Sequence, residues 1–200
     1  MPTGRPIANP HDALFAATRR VLVRGGPSAV TSRAITTEAG VAKGVLHRHF
    51  SDLDAFLAAF VVERVEALDA DAQTLRAATG EHTVADNLSC ALASCIDLET
   101  TRTVALVTAR RDLLARLSAL TPPGLPLLAQ TTRMLASYLT AERALGRIPA
   151  AADVDALARA LVSTVYVTAA GRDDALPERE CRNVVIAALP DSTARRTAPR

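Results

Sequence analysis

Four histidines and three cysteines are the side chains of this 200-residue chain best suited to acid–base, nucleophilic or metal chemistry, and their spacing favours none of these. His47 and His49 lie two apart and so do not share a helix face, while His11 and His82 stand far from them in sequence. Cys90, Cys95 and Cys181 are odd in number and lack CxxC spacing, which signals neither a disulfide framework nor a zinc site. Ser89, Ser94, Ser118, Ser137 and Ser163 have no Gly-x-Ser-x-Gly setting and no paired histidine. Neither GxGxxG nor GxxxxGK[ST] occurs. No enzyme activity, cofactor or metal is therefore expected.

What remains is a surface of hydrogen-bond donors and positive charge in residues 31–50, TSRAITTEAGVAKGVLHRHF. The stretch reads as two short helices joined at Gly40. Thr31 suits an N-cap, because its hydroxyl can accept a free N–H of the first turn. Gly40 suits the left-handed residue that ends a helix, having no Cβ to clash. Ala34, Ile35, Ala39, Val41, Leu46 and Phe50 can close over one small core. Lys43 (the only lysine of the chain), Gly44, Val45, His47 and Arg48 then point outward. This is the layout of a helix-turn-helix, whose second helix enters the major groove of double-stranded DNA.

Charge follows the same map. The formal net charge is only +2, yet residues 1–50 carry seven basic side chains against Asp12 and Glu38, a net of +5. The remaining 150 residues net −3, so the positive field is confined to the N-terminal quarter. Hydrophobic residues make up 49% and charged residues 22%, a globular balance with ample core material. Aromatics are 3% with no Trp, so the core must come from Leu, Val and Ala; abundant Ala and Leu with few β-branched alternations favour helix. No run approaches the ~20 apolar residues of a membrane span, and no apolar leader follows the opening residues. A soluble, cytoplasmic protein is expected.

The elements that would position these residues are all helices. Residues 1–8 read as a disordered basic arm, after which Asn9 caps and Pro10 opens a helix ended by Gly25-Gly26. Ser51 with Asp54 resembles a capping box for a helix that continues to Gly80, about 40 Å long at 1.5 Å per residue. Further helical patterns cover 83–98, 104–108 and 113–120. After the break at Thr121-Pro122-Pro123-Gly124 come 125–145, 151–170 and 177–189. Residues 191–200 read as a disordered tail. The expected fold is all-α, with a DNA-binding domain over 1–50 and a ligand-binding and dimerisation domain over 51–190.

Residues 11–60, through LFAATRRVLVRGG, AVTSRAITTEAGVAKGVLHRHF and SDLDAFLAAF, resemble the TetR family of transcriptional repressors. The resemblance is specific over about 50 residues and architectural beyond them. It implies three N-terminal DNA-binding helices and a longer helical domain that dimerises and binds a small ligand, which resets the spacing of the two heads. By position it implies phosphate contacts from Thr31 and Ser32, a base or phosphate contact from Arg33, and base reading from Lys43, Gly44 and Val45. His47 takes the place of a phosphate-contacting tyrosine, and His49 matches the aromatic or histidine before Phe50. Arg48 adds charge to the same helix. Three departures retune these contacts: Ala42 for a frequent serine cap, His47 for tyrosine, and Leu53 for a phosphate-donating lysine. A histidine titrates near neutrality, so His47 would make binding pH-sensitive.

The expected function is thus a ligand-responsive regulator, a repressor that binds a palindromic operator as a homodimer and is released by a small, mainly apolar effector. The alternative is a helical small-molecule-binding protein with a degenerate DNA-binding motif. Asn87, Cys90 and Ser94 share one helix face, and Gln130, Met134, Ser137 and Tyr138 another; these are the candidate ligand-site residues. Val154, Leu157, Ala158, Leu161, Val162, Val165, Val184, Val185 and Leu189 form stripes too wide for one chain to cover. They are the expected dimer interface, pairing as a four-helix bundle.

Overall fold

The computed structural model describes residues 10–42 and 44–189; the expectations for the N-terminal arm, the Asn9 cap, Lys43 and the 191–200 tail lie outside the described residues. Every regular element among those described is a helix, with no strand. The chain divides into two compact units. One runs from Met1 to Val62 and takes back Arg102–Thr121; the other comprises Glu63–Thr101 and everything from Pro122 on. Compactness therefore does not divide the chain at residue 50.

In the first unit, α1 (Pro10–Gly25) buries Leu14, Phe15, Ala17, Thr18, Val21 and Leu22 along one stripe. It ends where a Cβ on Gly25 would lie 2.6 Å from the Cβ of Ala29, too close for any side chain. A 3₁₀ turn, Pro27–Ala29, leads into α2 (Ser32–Glu38), and α3 (Gly44–His49) follows. The next helix, α4 (Leu53–Ala77), starts one residue later than the capping-box reading of Ser51 and Asp54 requires. Its cap is Asp52, whose Oδ1 accepts the Ala55 N–H at 2.8 Å while the Ser51 hydroxyl donates to Oδ2 at 3.1 Å. Aspartate caps as well as serine does, so composition could not separate the two readings.

All four phenylalanines of the chain meet in this unit. Phe15 lies 5.4 Å from Phe56 and 5.6 Å from Phe60, and Phe50 lies 5.1 Å from Phe56, in tilted or edge-on pairs. His11 packs its ring on Phe15 at 4.4 Å, and the Arg19 guanidinium lies 5.8 Å from the Phe60 ring centre. These contacts hold α1 against the start of α4.

The later helices are α5 (Val84–Cys95), α6 (Leu98–Ala109), α7 (Arg111–Leu120), α8 (Pro126–Ala144), α9 (Val154–Ala169) and α10 (Glu178–Ala188). Helix α6 begins well before the expected 104–108 segment, because Asp97 caps it: Oδ1 accepts the Thr100 N–H at 2.7 Å. In the second unit α10 packs on α5 and α9, and α8 packs on α9 and α5. Thr83 caps α5 and Asp153 caps α9, each accepting an N–H three residues on. Arg182 of α10 pairs with Asp86 of α5. Below them lies a buried polar cluster. The fully buried Glu142 accepts the Gly80 N–H at 3.1 Å and pairs with Arg147 at 3.1 Å, and Asn87 donates to the Tyr138 hydroxyl at 2.8 Å.

Candidate nucleic-acid interface

The reading motif is built from two helices of seven and six residues, too short to persist alone, so their ends must be tied. Thr31 ties the first: its Oγ1 accepts the Ala34 N–H at 3.1 Å. The other end of α2 closes through Gly40 at φ +68°, with Gly40 N–H donating to the Thr37 carbonyl at 3.1 Å and Val41 N–H to that of Thr36 at 3.0 Å. That pair of bonds is the Schellman arrangement, which needs a left-handed residue at this point. Ile35 and Leu46 are fully covered and seat the two helices.

Most of what the described motif residues offer outward is polar, basic or small. Thr31, Arg33, Gly44, His47, Arg48 and His49 are exposed, and Ser32 and Val45 half-exposed. Lys43 lies outside the described residues. The Thr31 hydroxyl is occupied as a cap acceptor, which leaves its O–H free to donate outward. A Cβ on Gly44 would meet nothing within 4 Å, so tight helix packing does not explain that glycine. It is also the first residue of α3 rather than an interior one, where glycine destabilises less.

Charge at the motif is sorted by pairing. Arg20 and Arg24 of α1 both grip Glu38 at the end of α2, at 2.7 and 2.8 Å. Hydrogen bonds from Arg20 and then Arg24 hold the Glu38 carboxyl below its ordinary range. Arg33 and Arg48 have no carboxylate partner among the described residues. Two of the seven positive charges counted in residues 1–50 are thus internally compensated in part, and Arg33 and Arg48 remain available to phosphate.

The expected ligand-site residues divide. Asn87 and Tyr138 do meet, but inside the polar cluster, where Asn87 also donates to the carbonyls of Ala78 and Glu81. Burial and a hydrogen bond to Glu142 push the Tyr138 hydroxyl pKa up, keeping it protonated. Met134 is buried. Cys90, Ser94 and Ser137 are exposed, and half-exposed Gln130 donates to Asp69 at 2.8 Å. Burial therefore divides the two helix faces, with Asn87, Met134 and Tyr138 inside and Cys90, Ser94 and Ser137 outside.

The expected dimer residues need correction. Val154, Ala158, Leu161, Val162, Val165, Val185 and Leu189 are buried by their own chain, and only Leu157 and Val184 are half-exposed. The stripes were wide because α9 and α10 cover one another and rest on α8 and α5. What faces outward is an adjacent strip: an open groove of about 470 Å³ lined by Ala160, Leu161, Thr164, Asn183, Val184 and Ala187, among others. On the same two helices Val167 is 71% and Ile186 40% exposed.

Among the described residues no cluster of three or more His, Cys, Asp or Glu could hold a metal ion, and no helix is long and apolar enough to cross a membrane. A capped helix-turn-helix with an outward-facing second helix is the geometry that can enter a DNA major groove. Residues 14–60 match the family model of bacterial regulatory proteins, tetR family. Among solved structures the chain is similar to Salmonella enterica GusR (19% identity, TM-score 0.65, covering 94% of this chain and 98% of that one). It is also similar to a TetR-family member from Streptomyces coelicolor (21%, TM-score 0.58, covering 91% and 99%). A third is the multidrug binding protein EbrR, solved with imidazole (19%, TM-score 0.59, covering 96% and 97%). No curated protein matches the chain in sequence. The family match is thus confined to residues 14–60, and the chain as a whole shares the fold of these structures.

Proposed function

We propose that the protein is a ligand-responsive transcriptional repressor that binds an inverted-repeat operator as a homodimer. The observation that carries this reading is the exposed set Arg33, His47, Arg48 and His49, without an ion-pair partner among the described residues, on a motif whose first helix is closed at both ends. Within it, Ser32, Thr31 and Arg33 hold phosphate and set register, while Gly44, Val45 and Lys43 address base edges. The first fifty residues form the reading head by function, and the remainder to residue 190 serves ligand binding and dimerisation. The groove between α9 and α10, small-residued and flanked by Val167 and Ile186, seats a second copy of itself about a two-fold axis. The effector is small and mainly apolar, consistent with cores built from Leu, Val and Ala and with the description of EbrR as a multidrug binder.

Selection from random duplexes tests the reading. Full-length protein should enrich an inverted repeat with half-sites about one helical turn apart or slightly more. Its affinity should fall steeply with salt as counterions are released. Enrichment of no inverted repeat at ordinary salt refutes the repressor reading, and enrichment of a single half-site refutes the dimeric part of it.

A further inference from the structure

The helix-turn-helix is entered from α1 and left into α4, and both junctions are gripped from one distant stretch of chain. At the entry, Nη1 of Arg102 donates to the carbonyl oxygens of Leu22, at 3.3 Å, and Val23, in the last turn of α1. A cation there also faces the negative end of the helix dipole. At the exit, Arg116 Nη2 meets Asp52 Oδ2 at 2.7 Å and Arg110 Nε meets Asp54 Oδ1 at 2.6 Å. Asp52 divides its oxygens, one to the α4 cap and one to Arg116 and Ser51. Between these grips hang α2 and α3 entire. The motif has little core of its own to orient it, with Ile35 and Thr36 buried in α2 and Leu46 alone in α3.

We propose that Arg102, Arg110 and Arg116 are positioning residues for DNA reading, bracketing the helix-turn-helix at entry and exit so that α2 and α3 are offered in one orientation. The proposal rests on the DNA-binding reading above. None of the three belongs to the motif or to the resemblance that identified it. They come together with it only in the folded unit that combines the chain up to Val62 with Arg102–Thr121.

Sequence-specific binding demands orientation, whereas non-specific binding is mainly electrostatic and tolerates misalignment. The test uses full-length protein with two probes: the duplex that wild type enriches and a random duplex of equal length. Asp52→Asn retains a good N-cap, and Asp54→Asn leaves Arg110 facing a neutral amide oxygen in place of its carboxylate partner. The double variant is more positive than wild type, so charge alone makes it bind both duplexes more tightly. The bracket requires the opposite for the enriched duplex, at least tenfold weaker binding, with the random duplex bound as well as before or better. Arg102→Gln, at the other end, should also lose the enriched duplex by about tenfold. In a cycle of Arg110→Gln and Asp54→Asn the combined loss should equal either single loss. Unchanged or tighter binding of the enriched duplex by Asp52→Asn/Asp54→Asn overturns the proposal, as do losses that multiply in the cycle or fall equally on both duplexes. Wild type that enriches nothing removes the DNA-binding reading and the bracket together; wild type that binds while the variants match it removes the bracket alone.

Discussion

Arg33 and Arg48 differ from Arg20 and Arg24 in lying on the motif helices and in having no carboxylate partner among the described residues. An arginine already paired to Glu38 must give up that pair to reach phosphate, and the exchange returns little. Arg48→Ala should therefore weaken binding to all duplexes and reduce the slope of log affinity against log salt by about one. Arg20→Ala should leave the slope within about half a unit. Titration of affinity across salt for both variants checks this, and equal slopes for the two would show that pairing does not sort them. The cysteines are sorted the same way by surroundings. Burial pushes the Cys95 thiol up to about 12 and raises Cys181, while Cys90 is exposed. The thiolate is the reactive form, so native protein should label rapidly at one thiol, Cys90, and at all three only when unfolded. Mass spectrometry of briefly alkylated native protein reads this directly.

At the scale of elements, short helices survive by their termini. The α2–α3 turn depends on Gly40 at φ +68°, where an L-residue with a Cβ costs about 1–2 kcal/mol. Gly40→Ala should lower unfolding free energy by about that amount, since nothing within 4 Å adds a clash. A matched Gly44→Ala, at a residue that needs no positive φ and meets no neighbour, should leave stability unchanged or slightly higher. Denaturant titration of the two variants separates conformational strain from space; equal losses would show that the turn is not what demands glycine at 40.

For the whole molecule the question is which apolar surface is left over once the chain has covered itself. Leu161 and Val185 are spent inside the second unit, so charging them would unfold it and report nothing about pairing. Ala160 and Ala187 are exposed, line the α9–α10 groove, and are small enough to let helices approach closely. Ala160→Glu combined with Ala187→Glu should keep full helicity by circular dichroism, sediment as a monomer at micromolar concentration, and lose inverted-repeat binding. A dimer that survives this double charge would place the interface elsewhere.

Local rules made much of this legible in advance. Thr31 as cap, Gly40 as turn and the break at 121–124 depend on neighbours within four positions, and the structure has each of them where residue type alone put it; Gly44, His47 and Arg48 are exposed as their spacing indicated. Competing caps are where local rules tie, so Asp52 displaced Ser51 and the start of α6 at Asp97 went unread. Helical periodicity reports that a face is apolar but carries no information on what covers it. The α9 and α10 stripes could therefore be read as an interface when they are core. For the same reason, the separate helix faces that carry Asn87 and Tyr138 gave no sign that the two side chains meet in a buried hydrogen-bond cluster. Only tertiary structure brings Arg102, Arg110 and Arg116 to the ends of the helix-turn-helix, because a contact across some fifty to eighty residues leaves no trace in local spacing.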